Sequence, residues 1–285
     1  MNLREALVKA REVLIQNNIE EAPLESELLL CHTLHIDRVR LHSEPWRELT
    51  TEEETAFWQT VNRRIKGEPT AYITSHREFF GLDFLVTPAV LIPRPETENL
   101  VEKTLELAKN QPVKLIADIG TGCGAIAVAL VKNLADAGIY ATDISDDALK
   151  VARMNCQKHG VADRVVLLQG DLLEPLPEPV DLIIANLPYV RKADIPVVGP
   201  LSFEPETAMD GGEEGLDKIK ALATQLSSKL KAGGWLLLEI GQGQAKAVTD
   251  LLTKRFTAAH IEVARDLAGI ERVISLCLTA SQPDR

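Results

Sequence analysis

The stretch Asp181-Leu182-Ile183-Ile184-Ala185-Asn186-Leu187-Pro188-Tyr189-Val190 decides how the surrounding chain is interpreted. Its apolar run, 182–185, is typical of a buried parallel strand. Pro188 has no N–H and cannot continue a central strand, so the chain must leave the sheet there. Asn186 and Tyr189 are therefore predicted at the carboxyl end of a strand, where ligands bind in open α/β sheets. A strand-ending turn with a capping Asn and a packed Tyr would give the same pattern. The sequence before this stretch therefore has to distinguish a ligand site from a purely structural turn.

Apolar strand-like runs alternate with helical patterns from Lys114 onward. This alternation predicts an α/β fold with a mostly parallel sheet covered by helices on both faces. The predicted strands are Leu115–Ile119, Gly138–Thr142, Arg164–Leu168, Asp181–Ala185 and Trp235–Ile240, followed by two closing strands at His260–Ala264 and Arg272–Leu278. The predicted helices fall near 96–110, 124–134, 146–159, 214–231 and 243–256.

The first part of the chain, residues 2–66, shows helical patterns only and contains no chemical motif. Pro23 is predicted to open a second helix whose Leu24, Leu28 and Leu29 point inward, and Thr51 with Glu54 fits a capping box further on. Residues 78–86 predict a hairpin, and the prolines after it predict a joint. The expected domains are a small helical domain at 1–75, a hairpin and Pro-rich joint at 76–95, and the α/β domain at 96–285.

Composition limits the function classes. The chain has 285 residues, 45% of them hydrophobic, and a net charge of −11. Duplex-DNA binders usually carry a basic surface, which the chain as a whole does not, although a local basic patch stays open. The four cysteines form no CxxC pair and no zinc spacing, so reduced cytosolic thiols and no metal site are expected.

The N-terminus is typical of an amphipathic helix rather than a signal peptide, and no apolar run reaches the ~18 residues of a membrane span. A cytoplasmic protein without a membrane partner is expected.

A glycine-rich loop follows the first predicted strand of the sheet. Asp118-Ile119-Gly120-Thr121-Gly122-Cys123-Gly124-Ala125 opens a helix, and such glycines let a ligand approach the backbone. Asp143 ends the next strand, where a carboxylate can bind both hydroxyls of a ribose. These features alone fit a nicotinamide cofactor as well as S-adenosylmethionine. Asp118 near an amino-acid ammonium, Asp171 near an adenine amino group and the Asn-x-Pro-Tyr motif favour S-adenosylmethionine.

With these residues assembled, the chain resembles the peptide-chain release factor glutamine methyltransferases, the HemK or PrmC family. The likeness covers nearly the whole chain and includes the helical N-terminal part. The motifs that carry it are Leu91-Ile92-Pro93-Arg94-Pro95-Glu96-Thr97-Glu98, Asp118–Gly124, Asn186-Leu187-Pro188-Tyr189, Phe203-Glu204-Pro205, Leu238-Glu239-Ile240-Gly241, and Asp266-Leu267-Ala268-Gly269 before Arg272. The Ile-Pro-Arg-Pro-Glu-Thr-Glu block makes the likeness specific, because amino-methylating DNA enzymes share the Asn-x-Pro-Tyr motif.

The resemblance implies a class I S-adenosylmethionine-dependent methyltransferase fold, here a mostly parallel seven-stranded sheet, behind a helical substrate-recognition domain. It implies methylation of the glutamine side-chain amide nitrogen in the Gly-Gly-Gln motif of class-one release factors. Leu187 stands where the family usually has proline, and the family uses the backbone carbonyl of that residue. The expected catalytic residues are Asn186, Pro188 and Tyr189, and the expected substrate-binding residues are these three together with Leu187. The expected cofactor-binding residues are Asp118, Gly120, Thr121, Gly122, Cys123, Gly124, Asp143, Asp171, Leu172 and Asn186.

Two other interpretations remain at this point. An amino-methyltransferase of DNA or RNA bases could hold an adenine amino group with the same acceptors, stacking Tyr189 on a flipped base. The acidic balance and the lack of an obvious basic insert argue against it. A non-catalytic scaffold that binds the cofactor or a protein partner is the other, and the intact Asn-x-Pro-Tyr motif argues against that one.

Overall fold

The structure is a computed structural model that describes residues 1–278 and divides into two compact units. The first unit comprises Met1–His76 and Pro196–Phe203. The second comprises Arg77–Ile195 and the chain from Glu204 onward. The α/β domain predicted to end at 285 extends over residues 279–285, which lie outside the described residues. The assignment of Pro196–Phe203 to the first unit was not anticipated from the sequence.

The first unit is built from helices around one apolar core. Its helices are α1 (Leu3–Gln16), α2 (Ala22–Leu34), α3 (Arg38–Ser43), α4 (Thr51–Ile65) and α5 (Thr70–Thr74). The core is filled by fully buried side chains such as Leu14, Leu30, Phe57 and Val61. Burial of large apolar side chains of this kind stabilises each by about 1.5–3 kcal/mol, so the core supplies the driving force for the unit.

The buried face of α2 differs from the prediction. Leu29 is buried as expected, but Leu24 and Leu28 are 39% and 38% exposed. Ser26 and Glu27 take the inward positions instead, with the Ser26 hydroxyl bonded to the Pro23 carbonyl and Glu27 paired with Arg38. Leucines lie on several sides of this helix, so their spacing could not identify the buried side.

The capping box of α4 also differs, because it lies one residue earlier than predicted. Thr50 is the N-cap, and its side chain accepts from the Glu53 N–H while Glu53 accepts from the Thr50 N–H. Consecutive threonines followed by consecutive glutamates offer two equivalent registers, so the sequence could not choose between them.

The second unit begins with a hairpin and continues into alternating strands and helices. The hairpin strands are β1 (His76–Phe79) and β2 (Leu82–Leu85). The sheet strands are β3 (Leu115–Ile119), β4 (Gly138–Asp143), β5 (Val165–Gln169), β6 (Val180–Ala185), β7 (Leu230–Glu239), β8 (His260–Arg265) and β9 (Glu271–Cys277). The helices are α6 (Glu98–Asn110), α7 (Ala125–Asn133), α8 (Asp146–Lys158), α9 (Asp217–Lys229) and α10 (Ala245–Arg255), and α6 is preceded by the 3₁₀ turn Pro95–Thr97.

The seven strands form one sheet in the order β5-β4-β3-β6-β7-β9-β8. Neighbouring strands from β5 to β7 are parallel, and β9 runs antiparallel to both of its neighbours. The predicted mostly parallel seven-stranded sheet is confirmed. Because β3, β4, β6 and β7 are parallel, their carboxyl ends lie along one edge of the sheet, where a ligand site is expected. None of the helices within residues 1–278 has the length and apolar character that a membrane crossing requires.

Candidate active site

A cavity of about 340 Å³ lies at the carboxyl ends of the sheet strands, entirely within the second unit. Its volume is within the range of small-molecule sites. Most of the predicted site residues line it, namely Gly120, Thr121, Gly122, Cys123, Asp143, Asp171, Leu172, Asn186, Leu187 and Pro188. Asp118, Gly124 and Tyr189 are not part of the lining. The cofactor and substrate residues predicted from separate motifs therefore meet at one cavity.

The glycine loop forms one wall of the cavity between β3 and α7. Gly122 has a φ of +55°, which favours glycine, and an added Cβ would meet no atom within 4 Å. The Cβ position is open, so a ligand can approach this backbone closely. Cys123 also lines the wall, but burial raises the pKa of its thiol to about 12, so the thiol stays neutral and does not act as a nucleophile.

Two aspartates hold the glycine loop in different ways. Asp143 accepts from the backbone N–H groups of Gly122 and Ser145, each at 2.9 Å. Asp118 is fully buried at the end of β3 and accepts the Thr121 hydroxyl at 2.6 Å, while its Oδ1 has no hydrogen-bond partner within residues 1–278. Burial raises the pKa of Asp118 to about 6, against the opposing hydrogen bond from Thr121. Both carboxyl groups are thus built into the loop, and Asp143 alone of the two reaches the cavity.

Asn186 and Leu187 present two free acceptors beside the cavity. Asn186 Nδ2 donates to Thr97 Oγ1 at 3.0 Å. Within residues 1–278, neither Asn186 Oδ1 nor the Leu187 carbonyl oxygen accepts a hydrogen bond. The Leu187 side chain is buried, and its Cδ2 lies 3.5 Å from the position of a Cβ on Gly120. Leucine at this position therefore packs on the glycine loop while leaving its carbonyl unpaired.

Tyr189 turns away from the cavity toward a buried carboxyl group at the end of β7. Its hydroxyl donates to Glu239 Oε1 at 3.4 Å, a long and weak hydrogen bond. Burial raises the pKa of Tyr189 to about 12, so the phenol keeps its proton. Burial also raises the pKa of Glu239 to about 7, although the neighbouring Thr97 hydroxyl and the charge of Arg272 oppose that rise.

Thr97 and Glu239 were missed as site residues by sequence reasoning. Each lies in a motif that carries the family resemblance, but nothing in the sequence pairs position 97 with position 239. One signal was present, since Glu239 is a charged residue at the end of a predicted buried strand. Such a carboxylate is costly to bury without a partner, which marks it as a candidate for the site.

Two further groups fix the loops around the cavity. Glu204 is buried, pairs with Arg94 and accepts from the Ile92 N–H at 3.1 Å. Gln244 Nε2 donates to the Tyr189 carbonyl at 3.0 Å and to the Gly215 carbonyl at 3.2 Å. These contacts tie the chain segments before α6 and after β6 to the rest of the second unit.

Family models match both parts of the chain. Residues 5–74 match the PrmC N-terminal domain, and residues 97–198 match the methyltransferase small domain. Together the two matches cover more than half of the sequence. The first lies within the helical part, and the second includes the glycine loop, Asp143 and Asn186.

Curated relatives align over almost the full length. A release factor glutamine methyltransferase from Moorella thermoacetica is 44% identical, and the alignment covers 95% of this chain and 97% of the relative. One from Koribacter versatilis is 42% identical over 96% and 98% of the two chains. Among solved structures, a methyltransferase from Pyrococcus furiosus has a TM-score of 0.53 at 16% identity, covering 70% of this chain and 91% of that chain. The last comparison supports the methyltransferase fold alone.

Proposed function

Because this chain belongs to the release factor glutamine methyltransferase family, we propose that it methylates release factors. The proposed substrate is the glutamine of the Gly-Gly-Gln motif in class-one release factors, and the acceptor atom is the side-chain amide nitrogen. The proposed methyl donor is S-adenosylmethionine. The protein substrate needs no phosphate-binding surface, in agreement with the net charge of −11.

The observation that carries this proposal is the pair of unengaged acceptors, Asn186 Oδ1 and the Leu187 carbonyl oxygen, at the cavity. A primary amide nitrogen bears two N–H groups, so it requires two acceptors of this kind. One acceptor for each N–H fixes the orientation of the nitrogen before the reaction. A cavity that bound an apolar or anionic acceptor group would have no use for two carbonyl-type oxygens.

The reaction requires orientation more than proton abstraction. S-adenosylmethionine, when bound, supplies a methyl group on a positively charged sulfur, which becomes a neutral thioether as the carbon–sulfur bond breaks. The glutamine nitrogen is a poor nucleophile because its lone pair is delocalised into the carbonyl. As it forms the new nitrogen–carbon bond it gains positive charge, which the oxygens of Asn186 and Leu187 stabilise, and it then loses a proton to solvent. Pro188, which lines the cavity, is proposed to shape the wall against which the planar amide lies, and Tyr189, which lies outside the lining, is proposed to support that wall from behind.

The residues at the cavity fit the proposed cofactor. Each Asp143 oxygen already accepts one backbone N–H, and a carboxylate oxygen can accept a second hydrogen bond, such as one from a ribose hydroxyl. Asp171 and Leu172 line the cavity nearby, where the adenine is proposed to bind. The open Cβ position at Gly122 leaves room for the ligand against the backbone. Asp118 is proposed to attract the positively charged ammonium group of the cofactor through its own negative charge, although it does not line the cavity.

We expect Asp143→Ala to weaken S-adenosylmethionine binding. Hydrogen bonds to a charged acceptor are worth about 1.5–3 kcal/mol, which corresponds to a roughly ten- to hundredfold loss of affinity. Isothermal titration calorimetry on the folded variant measures the change. Asp147→Ala is the matched control, because Asp147 is an exposed aspartate of α8 whose one ion-pair partner among residues 1–278 is Lys150. Equal affinities for the Asp143 variant and the wild type would remove the ribose assignment.

The helical domain is proposed to dock the release factor. It contains no chemical motif, and its residues 5–74 match a family-specific N-terminal model rather than a general methyltransferase model. Mass spectrometry after methyl transfer to a purified class-one release factor tests the whole proposal. The expected result is one added methyl group on the Gly-Gly-Gln glutamine, with none on a release factor carrying alanine there and none on duplex DNA or RNA. Methylation of the nucleic acid in preference to the release factor would overturn the proposal.

A further inference from the structure

The Leu187 carbonyl is one of the two acceptors proposed for the substrate nitrogen, and its direction has to be fixed before the substrate binds. Leu187 lines the cavity, and its carbonyl oxygen accepts no hydrogen bond from residues 1–278. The direction of this oxygen therefore depends on the backbone torsions φ and ψ of Leu187. A carbonyl turned away from the cavity would leave one substrate N–H without an acceptor, so other parts of the fold must restrain both torsions.

Packing of the Leu187 side chain restrains the first torsion. A rotation about φ moves the side chain together with the carbonyl group. The side chain is 3% exposed, and its Cδ2 lies 3.5 Å from the position of a Cβ on Gly120. Because a close-packed interior opposes such a movement, the glycine loop restrains φ of Leu187 and leaves ψ as the torsion that needs a further restraint.

Pro188 couples the second torsion to the backbone of Tyr189. An ordinary peptide group can turn in place, because ψ of one residue and φ of the next residue change in opposite directions. The proline ring holds φ at about −65° and prevents this compensation. A change in ψ of Leu187 therefore has to move Pro188 and Tyr189 with it. A group that holds the Tyr189 backbone also holds the Leu187 carbonyl.

The peptide group between Tyr189 and Val190 is held at both of its ends. Its N–H, on Val190, donates to the Met209 carbonyl at 3.0 Å. Its C=O, on Tyr189, accepts from Gln244 Nε2 at 3.0 Å. A peptide group with one hydrogen bond can still pivot about that bond, whereas two bonds on opposite sides fix its plane. Gln244 is the side chain of the pair, so its contribution can be removed by substitution.

The side-chain amide of Gln244 has only one workable orientation. Its Oε1 accepts from the Gly241 N–H at 2.8 Å, and its Nε2 donates to the Gly215 carbonyl at 3.2 Å as well as to Tyr189. A backbone N–H can only donate and carbonyl oxygens can only accept, so the amide cannot flip without losing all three bonds. A Cβ on Gly241 would lie 2.9 Å from Gln244 Oε1, so the glycine leaves the space that this contact needs.

We propose that Gln244 is a positioning residue for methyl transfer, which keeps the Leu187 carbonyl directed at the substrate amide. It does so by holding the Tyr189 carbonyl, to which Leu187 is coupled through Pro188. Gln244 lies in the turn between β7 and α10 and is not part of the cavity lining, so it acts through the loop and not on the substrate. This inference deepens the proposed function and rests on it for the identity of the substrate.

Two substitutions of Gln244 separate a donor role from a packing role. Gln244→Met keeps the length of the side chain and removes its hydrogen bonds. Gln244→Glu keeps the shape and the acceptor for Gly241, but at about pH 8 it is ionised and cannot donate to Tyr189. Misplacement of a reacting group by about 1 Å can cost ~10²-fold, so we expect kcat for release-factor methylation to fall by about ten- to a hundredfold in both variants.

The other kinetic quantities should change much less. S-adenosylmethionine affinity and binding stoichiometry, measured by calorimetry, should stay near the wild-type values and show that the variants are folded. KM for the release factor should also stay near its wild-type value, because docking is proposed for the helical domain. Gln242→Met is the matched control, since Gln242 lies in the same turn, is exposed and makes no side-chain hydrogen bond within residues 1–278. A wild-type kcat in Gln244→Glu, or equal losses in Gln242→Met and Gln244→Met, would overturn the proposal.

A measurement without substrate separates this inference from the proposed function. Carbonyl-carbon NMR of Leu187 in the free protein should show one narrow resonance in the wild type and in Gln242→Met. The resonance should be shifted or broadened by exchange in Gln244→Met and in Gln244→Glu. An unchanged resonance in both Gln244 variants would overturn the positioning role even if release factors are methylated. The expected pattern would support that role even if the substrate proves to be another amide.

Discussion

Replacing Asn186 by alanine is expected to reduce the rate of release-factor methylation by ~10²–10³, the usual effect of removing one preorganised polar contact at a reacting group. Asn186 Oδ1 is one of the two acceptors proposed for the substrate nitrogen, and its loss leaves one N–H unpaired. Binding of S-adenosylmethionine should change much less. Single-turnover methyl transfer and calorimetry on the same preparation measure the two quantities.

Asn133→Ala provides the matched control for that experiment. Asn133 ends α7, and within the described part of the chain its side chain bonds to the Ala129 carbonyl alone, so its removal should leave the rate unchanged. A folded Asn186→Ala protein that transfers methyl groups at nearly the normal rate would contradict the proposed mechanism. An equal loss of cofactor affinity and rate would instead assign Asn186 to the cofactor.

Gly215→Ala is expected to destabilise the second unit by about 2–5 kcal/mol. Gly215 has a φ of +73°, which costs a residue with a Cβ roughly 1–2 kcal/mol. Its Cβ would also lie 2.3 Å from the Tyr189 carbonyl oxygen, and such overpacking costs about 1–3 kcal/mol more. The backbone of Tyr189 must shift to relieve the contact, so the methylation rate should fall as well. Urea unfolding of the purified variant measures the loss of stability.

Gly243→Ala separates the two causes. Gly243 has a similar φ of +83°, but an added Cβ would meet nothing within 4 Å. Its substitution should therefore cost only the roughly 1–2 kcal/mol of backbone strain, with a normal methylation rate. If the two alanine variants lose the same free energy of unfolding, the close approach of Gly215 to Tyr189 does not contribute to the destabilisation.

The central strands β3, β4 and β6 were predictable because each is a short, mostly apolar run with a glycine or an acidic residue near one end. The prediction for β3, Leu115–Ile119, matches the structure, and β4 and β6 each differ from theirs by one residue at one end. The start of β7 was missed: the strand begins at Leu230 and includes Gly233 and Gly234. Glycines are depleted in strands, so propensity placed the start at Trp235.

The residues that meet at the cavity were predictable where one motif contains both the chemistry and its place on a strand, as for Asp143 and Asn186. The contacts that orient them were not, because Thr97 and Asn186 are far apart in the sequence and meet only in the folded protein. The position of Tyr189 shows the same limit. Its proposed role against the substrate came from the motif, whereas its hydrogen bond to Glu239 follows from strand order.

The membership of Pro196–Phe203 in the helical unit has a consequence for protein engineering. The chain passes from the first unit to the second after His76, returns at Pro196 and leaves again after Phe203. A Cβ on Gly67 would lie 3.5 Å from the Phe203 ring, so these two parts of the unit are fitted to each other. A chimera that grafts the helical unit of a relative onto this catalytic unit therefore needs three junctions, with the short segment transplanted alongside the helices.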